Sequence, residues 1–311
     1  MLDAASLRRQ ADAGDPRAQV LLARALLRGH APPAMEAARL VREACGQKNT
    51  DALLLHATLA VRGLGRPQSF NDALAYVGEA ASGGDTRARG QLAALGAAFD
   101  PKAWFAPLEA VQHAEAPRVF SVEGFLPAPV CDWLMRSAKK RLTRAKINDA
   151  ATGTIGENQV RTGSVFEAPQ LEPDLVHQLV NLKVADALGI PIVHQEPTNI
   201  LHYARSQEYK PHYDVILPGP EQDLFARELS DLGQRTATFL VYLNEGYEGG
   251  ETHFPRLGFS YKGKPGDALI FWNLSDVGAV ERNSLHAGMP VTKGEKWLLS
   301  KWIRQKPLPL F

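Results

Sequence analysis

Apolar residues in the first hundred positions recur at the spacing of a helix face, and from Asn199 onward the pattern turns to the alternation of strands. The early series runs Val20, Leu21, Ala25 and Leu27, then Leu53, Leu54, Ala57, Leu59 and Ala60. Its punctuation is helical too. Asp15-Pro16 puts an acceptor at an N-cap and a proline at the first helical position, where its missing N–H costs nothing. Ser69 with Asp72 resembles a capping box. Gly14, Gly29, Gly46, Gly63 and Gly83 each follow a helical run, where a left-handed terminating residue is wanted. These marks repeat: Gly14-Asp15-Pro16-Arg17-Ala18, Asn49-Thr50-Asp51-Ala52 and Gly84-Asp85-Thr86-Arg87-Ala88 align, with Asp15, Asp51 and Asp85 separated by 36 and 34 residues. Glu36-Ala37-Ala38 and Asp72-Ala73-Leu74 open the second helix of each unit. A period of this size predicts stacked helical hairpins whose faces are too small to bury alone.

Between residues 98 and 118 the periodicity lapses at Pro101, Pro107 and Pro117, which predicts a linker whose Trp104 and Phe105 dock on one of the domains. Helices are predicted over Pro127 to Leu142 and Pro173 to Leu188. Strands are predicted at Asn199–Tyr203, Glu208–Ile216, Thr236–Leu243, Glu251–Phe254, Phe259–Tyr261, Ala268–Trp272, Ser284–Pro290 and Lys296–Ile303. Turn signals such as Asn244-Glu245-Gly246 separate them. Eight short strands without intervening hairpins of helices predict a sandwich or barrel, and a jelly roll fits the count. The fold class is therefore α+β: a helical repeat array over 1–97, a linker over 98–118, and a domain over 119–311 with its β core at about 199–304. A long insertion, Leu217 to Arg235, carries a helical stretch over Glu221–Leu232; connections of this length are usually functional or mobile.

A length of 311 residues fits two domains, and 35 basic against 34 acidic residues give a net charge of +1. No nucleic-acid partner is expected from that balance. Arg8-Arg9 and Lys139-Lys140-Arg141 read as solvated helix faces. Cys45 and Cys131 make neither a metal spacing nor a disulfide framework, which fits a reducing cytoplasm. The amino terminus shows no signal peptide. Apolar stretches such as Ala52 to Val61 fall short of the roughly 20 residues a membrane helix needs. A soluble cytoplasmic protein without a membrane partner is the expectation.

The candidate chemistry sits at His212-Tyr213-Asp214. In an extended strand residues i and i+2 share a face, so the imidazole and the carboxylate project together while Tyr213 points away. One further His from a distant strand completes a set of two imidazoles and one carboxylate, which suits iron(II) and leaves coordination positions open. His286, opening a predicted strand late in the domain, is the natural third ligand. Lys296 follows it by ten residues, where its stem could enter the barrel and its cation receive the far carboxylate of a diacid; read alone, it is a surface strand lysine. His253 and His202 have the wrong parity for ligands, and His194 falls in a loop.

Five ordered blocks then carry a resemblance. The segments from Tyr203 to Asp214, Gly249-Gly250-Glu251-Thr252, Gly266 to Asn273, Ser284-Leu285-His286-Ala287-Gly288, and Lys296-Trp297 through Lys301-Trp302 are similar to the prolyl 4-hydroxylase family of iron(II)- and 2-oxoglutarate-dependent dioxygenases. The similarity runs from about Phe120 to Ile303, with Val160-Arg161-Thr162 matching an upstream motif. The helical repeats over 1–97 resemble the Sel-like branch of tetratricopeptide-related repeats. By this resemblance His212, Asp214 and His286 fall on the iron ligands and Lys296 on the partner of the 2-oxoglutarate side carboxylate. Tyr203, Tyr242 and Thr252 fall where the co-substrate is contacted, Trp302 on an aromatic wall, and Arg161 and Tyr209 on candidate substrate contacts. The family often has Gly where Ser206 stands, Ser where Gly163 stands, and Cys where Met289 stands. The implied cofactor is Fe(2+), with 2-oxoglutarate and O2 as co-substrates and ascorbate a further candidate.

The resemblance implies hydroxylation of a C–H bond, first of all on a prolyl residue in a peptide or protein recruited by the repeats. Hydroxylation of another side chain, a free amino acid or a small metabolite is the second reading. A third is an adaptor whose repeats bind a protein partner while the oxygenase domain serves as a scaffold.

Overall fold

Aspartate, asparagine and serine caps start most of the helices in the first part of the chain. They are α1 (Ala4–Asp12), α2 (Pro16–Leu26), α3 (Ala34–Gly46), α4 (Thr50–Arg62), α5 (Phe70–Ser82), α6 (Thr86–Leu95) and the short α7 (Pro101–Trp104). Three more follow: α8 (Ala128–Lys139), α9 (Leu175–Leu188) and α10 (Gln222–Leu232). The computed structural model describes residues 4–29, 31–145, 147–148, 155–156, 160–217 and 222–310. Contacts divide the chain into two units, one formed by 1–106, 169–189 and 309–311, the other by 107–168 and 190–308. Among the described residues no helix is long and apolar enough to cross a membrane, and both cysteines are free.

In the helical unit the expected hairpins are present, with a correction to their register. The caps at the head of α2, α4 and α6 are Asp15, Asn49 and Asp85, each accepting from the amide three residues on. Asn49, not Asp51, is thus the counterpart of Asp15. Asp51 instead takes an ion pair from Arg87 of the next hairpin at 2.9 Å. Ser69 accepts from the Asp72 amide at 3.1 Å, while the Asp72 carboxylate turns to Arg66, so only half of the box forms. Gly14, Gly29 and Gly63 adopt the left-handed backbone, but Lys48 and Gly84 take that role in place of Gly46 and Gly83. The core is Leu22, Leu27, Leu40, Val41, Leu55 and Leu59 with interleaved alanines, whose small side chains let neighbouring helices approach closely.

Helix α9 belongs to this unit although it lies within the 119–311 stretch. Arg62 of α4 donates to the Gln170 carbonyl and the Gln178 side chain, and Gln91 of α6 accepts from the Leu175 amide. Trp104 is buried and donates its indole N–H to the Leu179 carbonyl at 3.2 Å. The aromatic expected to dock therefore does so, onto a helix about 75 residues further along.

The second unit is built on strands. Apart from four strands of two or three residues in two small ribbons, these are β1 (Ala110–Glu115), β2 (Arg118–Val122), β3 (Thr143–Arg144), β4 (Ser164–Ala168), β5 (Thr198–Tyr203), β6 (Tyr209–His212), β7 (Arg235–Tyr242), β8 (Thr252–Phe254), β9 (Phe259–Tyr261), β10 (Ala268–Trp272), β11 (His286–Gly288) and β12 (Lys296–Arg304). A major antiparallel sheet runs β1-β2-β10-β7-β12-β5-β4-β3, and a minor one β9-β8-β11-β6. The 98–118 segment thus supplies α7 and the edge strand β1. Alternation places Leu201, Tyr203, Leu240, Tyr242, Leu269, Phe271 and Leu298 of the major sheet in one core with Phe254 of the minor sheet. The Phe254 and Phe271 rings meet edge to face at 5.1 Å. The insertion carries α10 as expected, with 218–221, including the predicted helix start at Glu221, lying outside the described residues.

Candidate active site

Strands β6 and β11 pair antiparallel with His212 and His286 as direct partners, which sets the two imidazoles side by side, ring centroids 4.3 Å apart. The strand expected to run through Ile216 stops at His212, so Asp214 sits in the bend beyond it. Strict alternation is therefore not what aims its carboxylate. A contact from β7 does so: Thr238 donates its hydroxyl to Asp214 Oδ2 at 2.6 Å, while Arg235 meets the Asp214 backbone carbonyl at 3.3 Å. His212 Nε2 then lies 3.6 Å from Asp214 Oδ1, and His286 Nε2 lies 3.5 Å from Oδ2.

The outer ring nitrogens fix the orientation. His212 Nδ1 faces the Lys210 carbonyl at 2.8 Å and His286 Nδ1 the Ser284 carbonyl at 2.9 Å. Each ring must donate there, which leaves both Nε2 lone pairs directed at Asp214. Ligand atoms of the three side chains lie within 4.8 Å of one another. Burial pushes the Asp214 carboxyl up, but the two imidazoles and the Thr238 hydroxyl outweigh it and hold the group well below its ordinary value. Burial, with His212 adding to it, pushes His286 down to about 4. Ionised carboxylate with neutral imidazole is the protonation state a divalent cation requires. The donor set fits iron(II).

Along β12, Lys296, Leu298, Ser300 and Trp302 alternate onto one face and line a single cavity with the three ligands. Lys296 is 3% exposed, and its ammonium donates to the Gly250 carbonyl at 2.6 Å. No carboxylate forms an ion pair with it among the described residues, and burial pushes its pKa down to about 7. Tyr203, its cross-strand partner, and Tyr242 present ring faces 5.8 and 5.4 Å from the ammonium. The Tyr242 hydroxyl shares a 2.8 Å hydrogen bond with Thr252 and donates to the Tyr261 carbonyl. A buried cation facing two tyrosine rings, with no counter-ion among the described residues, fits the free carboxylate of a diacid.

The remaining expected residues also converge. Arg161 and Tyr209 form an isolated bridge, with the guanidinium 4.9 Å from the Tyr209 ring, and that ring stacks on His212 at 3.4 Å. Arg161, Tyr209 and Trp302 all line the cavity; Tyr242 alone of the ten stands behind it. Nε of Arg161 and Nε1 of Trp302 are buried and find no hydrogen-bond partner among the described residues. Ser206 adopts φ 69°, a left-handed backbone that glycine takes more readily, which fits the glycine the resemblance leads one to expect there. His202, His253 and His194 lie apart, bonded to Glu295, Ser260 and the Arg304 carbonyl.

The sequence reading missed Thr238, Asn273 and Arg235. Thr238 donates to Asp214, so its oxygen accepts from Asn273 Nδ2 at 3.0 Å. Counting back by twos from Tyr242 along β7 reaches Leu240 and then Thr238, a signal that was available.

A profile of the 2OG-Fe(II) oxygenase superfamily matches residues 198–304. Among curated relatives, probable prolyl 4-hydroxylase 7 of Arabidopsis thaliana is 35% identical over 220 residues, covering 65% of this chain and 67% of that protein. Probable prolyl 4-hydroxylase 6 of the same plant is 35% identical over 216 residues, covering 63% and 72%. Among solved structures, the viral collagen prolyl hydroxylase of Paramecium Bursaria Chlorella virus-1, in its 2OG complex, is 26% identical over 60% of this chain and 95% of that one, with a TM-score of 0.44. A Sel1 repeat protein from Oxalobacter formigenes is 36% identical over 30% of this chain and 28% of its own, with a TM-score of 0.27.

Proposed function

This chain belongs to the prolyl 4-hydroxylase family of 2-oxoglutarate- and iron(II)-dependent oxygenases, and on that premise we propose that it hydroxylates a prolyl residue in a peptide or protein through His212, Asp214, His286 and Lys296. The observation that carries the proposal is the cavity joining a two-imidazole, one-carboxylate cluster to a buried lysine that has no counter-ion among the described residues. Its two antiparallel sheets with a shared core support a jelly-roll reading of the scaffold.

Bound iron with 2-oxoglutarate and dioxygen supplies an oxidant able to take hydrogen from an unactivated C–H bond, with succinate and carbon dioxide as co-products. The chain's own work is placement. His212, Asp214 and His286 would hold the metal, with Thr238 and Asn273 fixing the carboxylate. Lys296 would receive the far carboxylate of 2-oxoglutarate, flanked by Tyr203, Tyr242 and Thr252. Leu201, Leu240 and Leu298 make the cavity wall apolar, which excludes water and strengthens each polar contact within it. Arg161, Tyr209 and Trp302 would meet the substrate, and the helical repeats would offer a protein partner a separate surface.

The test is succinate formation from 2-oxoglutarate with iron(II), with and without proline-containing peptides. Peptide-stimulated succinate and a +16 shift on proline support the proposal. Stimulation by free amino acids or small metabolites alone would refute the peptide assignment.

A further inference from the structure

The guanidinium of Arg235 uses each of its nitrogens. Its Nε and Nη2 grip both oxygens of Glu196 at 2.7 and 2.8 Å, and its Nη1 reaches the Asp214 carbonyl at 3.3 Å. Its Cζ lies 3.7 Å from the ring centroid of Trp302. Glu196 is held in turn by Arg304, whose side chain is 2% exposed, and its backbone is bonded to both the Trp302 carbonyl and Lys301 Nζ. Burial of Glu196 is more than offset by the two guanidinium groups, which keep its carboxyl below the ordinary value.

We infer that Arg235 is a positioning residue that locks the Trp302 wall to the segment carrying Asp214, and thereby couples oxidation of 2-oxoglutarate to hydroxylation of the substrate. The inference rests on the oxygenase reading above. Trp302 lines the cavity on the same β12 face as Lys296, six residues along. A wall free to shift would let the substrate C–H bond move, and misplacement by about 1 Å costs on the order of a hundredfold in rate. Lys296, the imidazoles and the Asp214 carboxylate are held by other contacts, the last by Thr238, while Arg235 meets only the Asp214 backbone carbonyl, so metal and 2-oxoglutarate binding do not depend on this clamp.

The electron balance makes the effect measurable. Dioxygen takes four electrons; 2-oxoglutarate supplies two as it becomes succinate and carbon dioxide, and the C–H bond supplies two as it becomes C–OH. When the bond is misplaced, ascorbate in the assay supplies the second pair, and succinate forms without hydroxylated product.

The experiment measures succinate per hydroxylated peptide, together with Mn(II) and 2-oxoglutarate affinity by calorimetry, for the full chain and for R235K, E196Q and W302F. A lysine keeps the charge but loses the planar fork and the stacking. R235K is expected to raise the succinate-to-product ratio by roughly three- to tenfold, with 2-oxoglutarate affinity within about twofold of wild type. E196Q, which loosens the clamp and keeps the guanidinium, provides the second reading if R235K fails to fold, with a smaller rise in the same direction. R235K added to W302F should cost little beyond W302F alone, because the two act through one contact. Unchanged coupling in folded R235K and E196Q overturns the inference while leaving the hydroxylase reading intact. Metal or 2-oxoglutarate affinity lost in step with hydroxylation also overturns it, because Arg235 would then act on the iron site itself. A wild-type chain that hydroxylates no substrate removes the hydroxylase reading and this inference together.

Discussion

His212 and His286 face each other across an antiparallel pair of strands, 74 positions apart in sequence and 4.3 Å apart between ring centroids. Register alone therefore brings two ligands together, and Asp214 joins them from the bend after β6. Replacing His286 with Ala should abolish tight binding of Mn(II), read by calorimetry, because the remaining pair offers one imidazole and one carboxylate. The fold should survive, since the removed ring leaves a vacancy at a site already open to the cavity. Retention of Mn(II) affinity within about tenfold would count against the assignment.

Lys296 gives a pH dependence. Its pKa, ordinarily above 10, is depressed to about 7 by burial, so the ammonium is charged below that pH and largely neutral above it. An incoming carboxylate restores the charge. Binding of 2-oxoglutarate should thus take up close to one proton at pH 8 and little at pH 6, measured by calorimetry in buffers of different ionisation enthalpy. Affinity should fall by about tenfold for each pH unit above 7 until the pKa of the bound state is reached. K296R, charged throughout this range, should lose the dependence.

How much of this could be read from the chain is uneven. His212 and His286 were legible from their places on predicted strands, whereas Lys296, a surface strand lysine when read alone, and Trp302 were placed by the resemblance. Arg235 was not, because it ends a long insertion and resembles a loop residue until Glu196, Trp302 and Asp214 are seen around it. Nor was the membership of α9 in the helical unit, which depends on pairs such as Arg62 with Gln178 that no periodicity announces. Asp51 aligned with Asp15 because it stands two positions from Asn49 and shares its acidic side chain, and only the hydrogen bond from the Ala52 amide to Asn49 identifies the cap.

Thr238 holds the carboxylate of Asp214 and is itself held by Asn273. T238V should weaken metal binding by roughly 10- to 100-fold. It should also cost about 1–3 kcal/mol in stability, because the Asn273 amide loses its buried partner. T238S should restore both. Equal metal affinity in T238V and wild type would show that the hydroxyl has no part in aiming the ligand.

Gly163 leaves room for Tyr203. A Cβ there would fall 2.7 Å from Tyr203 Cε1 and 2.9 Å from the His202 carbonyl. G163A should therefore displace the ring, lower stability by about 1–3 kcal/mol and raise the KM for 2-oxoglutarate more than it lowers kcat. A KM unchanged in a destabilised variant would separate Tyr203 from the co-substrate.

The most direct test is a reaction of the full chain with iron(II), 2-oxoglutarate and a proline-containing peptide under oxygen-18 gas, followed by mass spectrometry of the peptide. The account predicts a gain of 18 mass units on proline, one labelled oxygen in the succinate formed alongside, and neither in D214A. Peptide that stays unlabelled while wild-type 2-oxoglutarate is consumed, or labelling that persists in D214A, would contradict it.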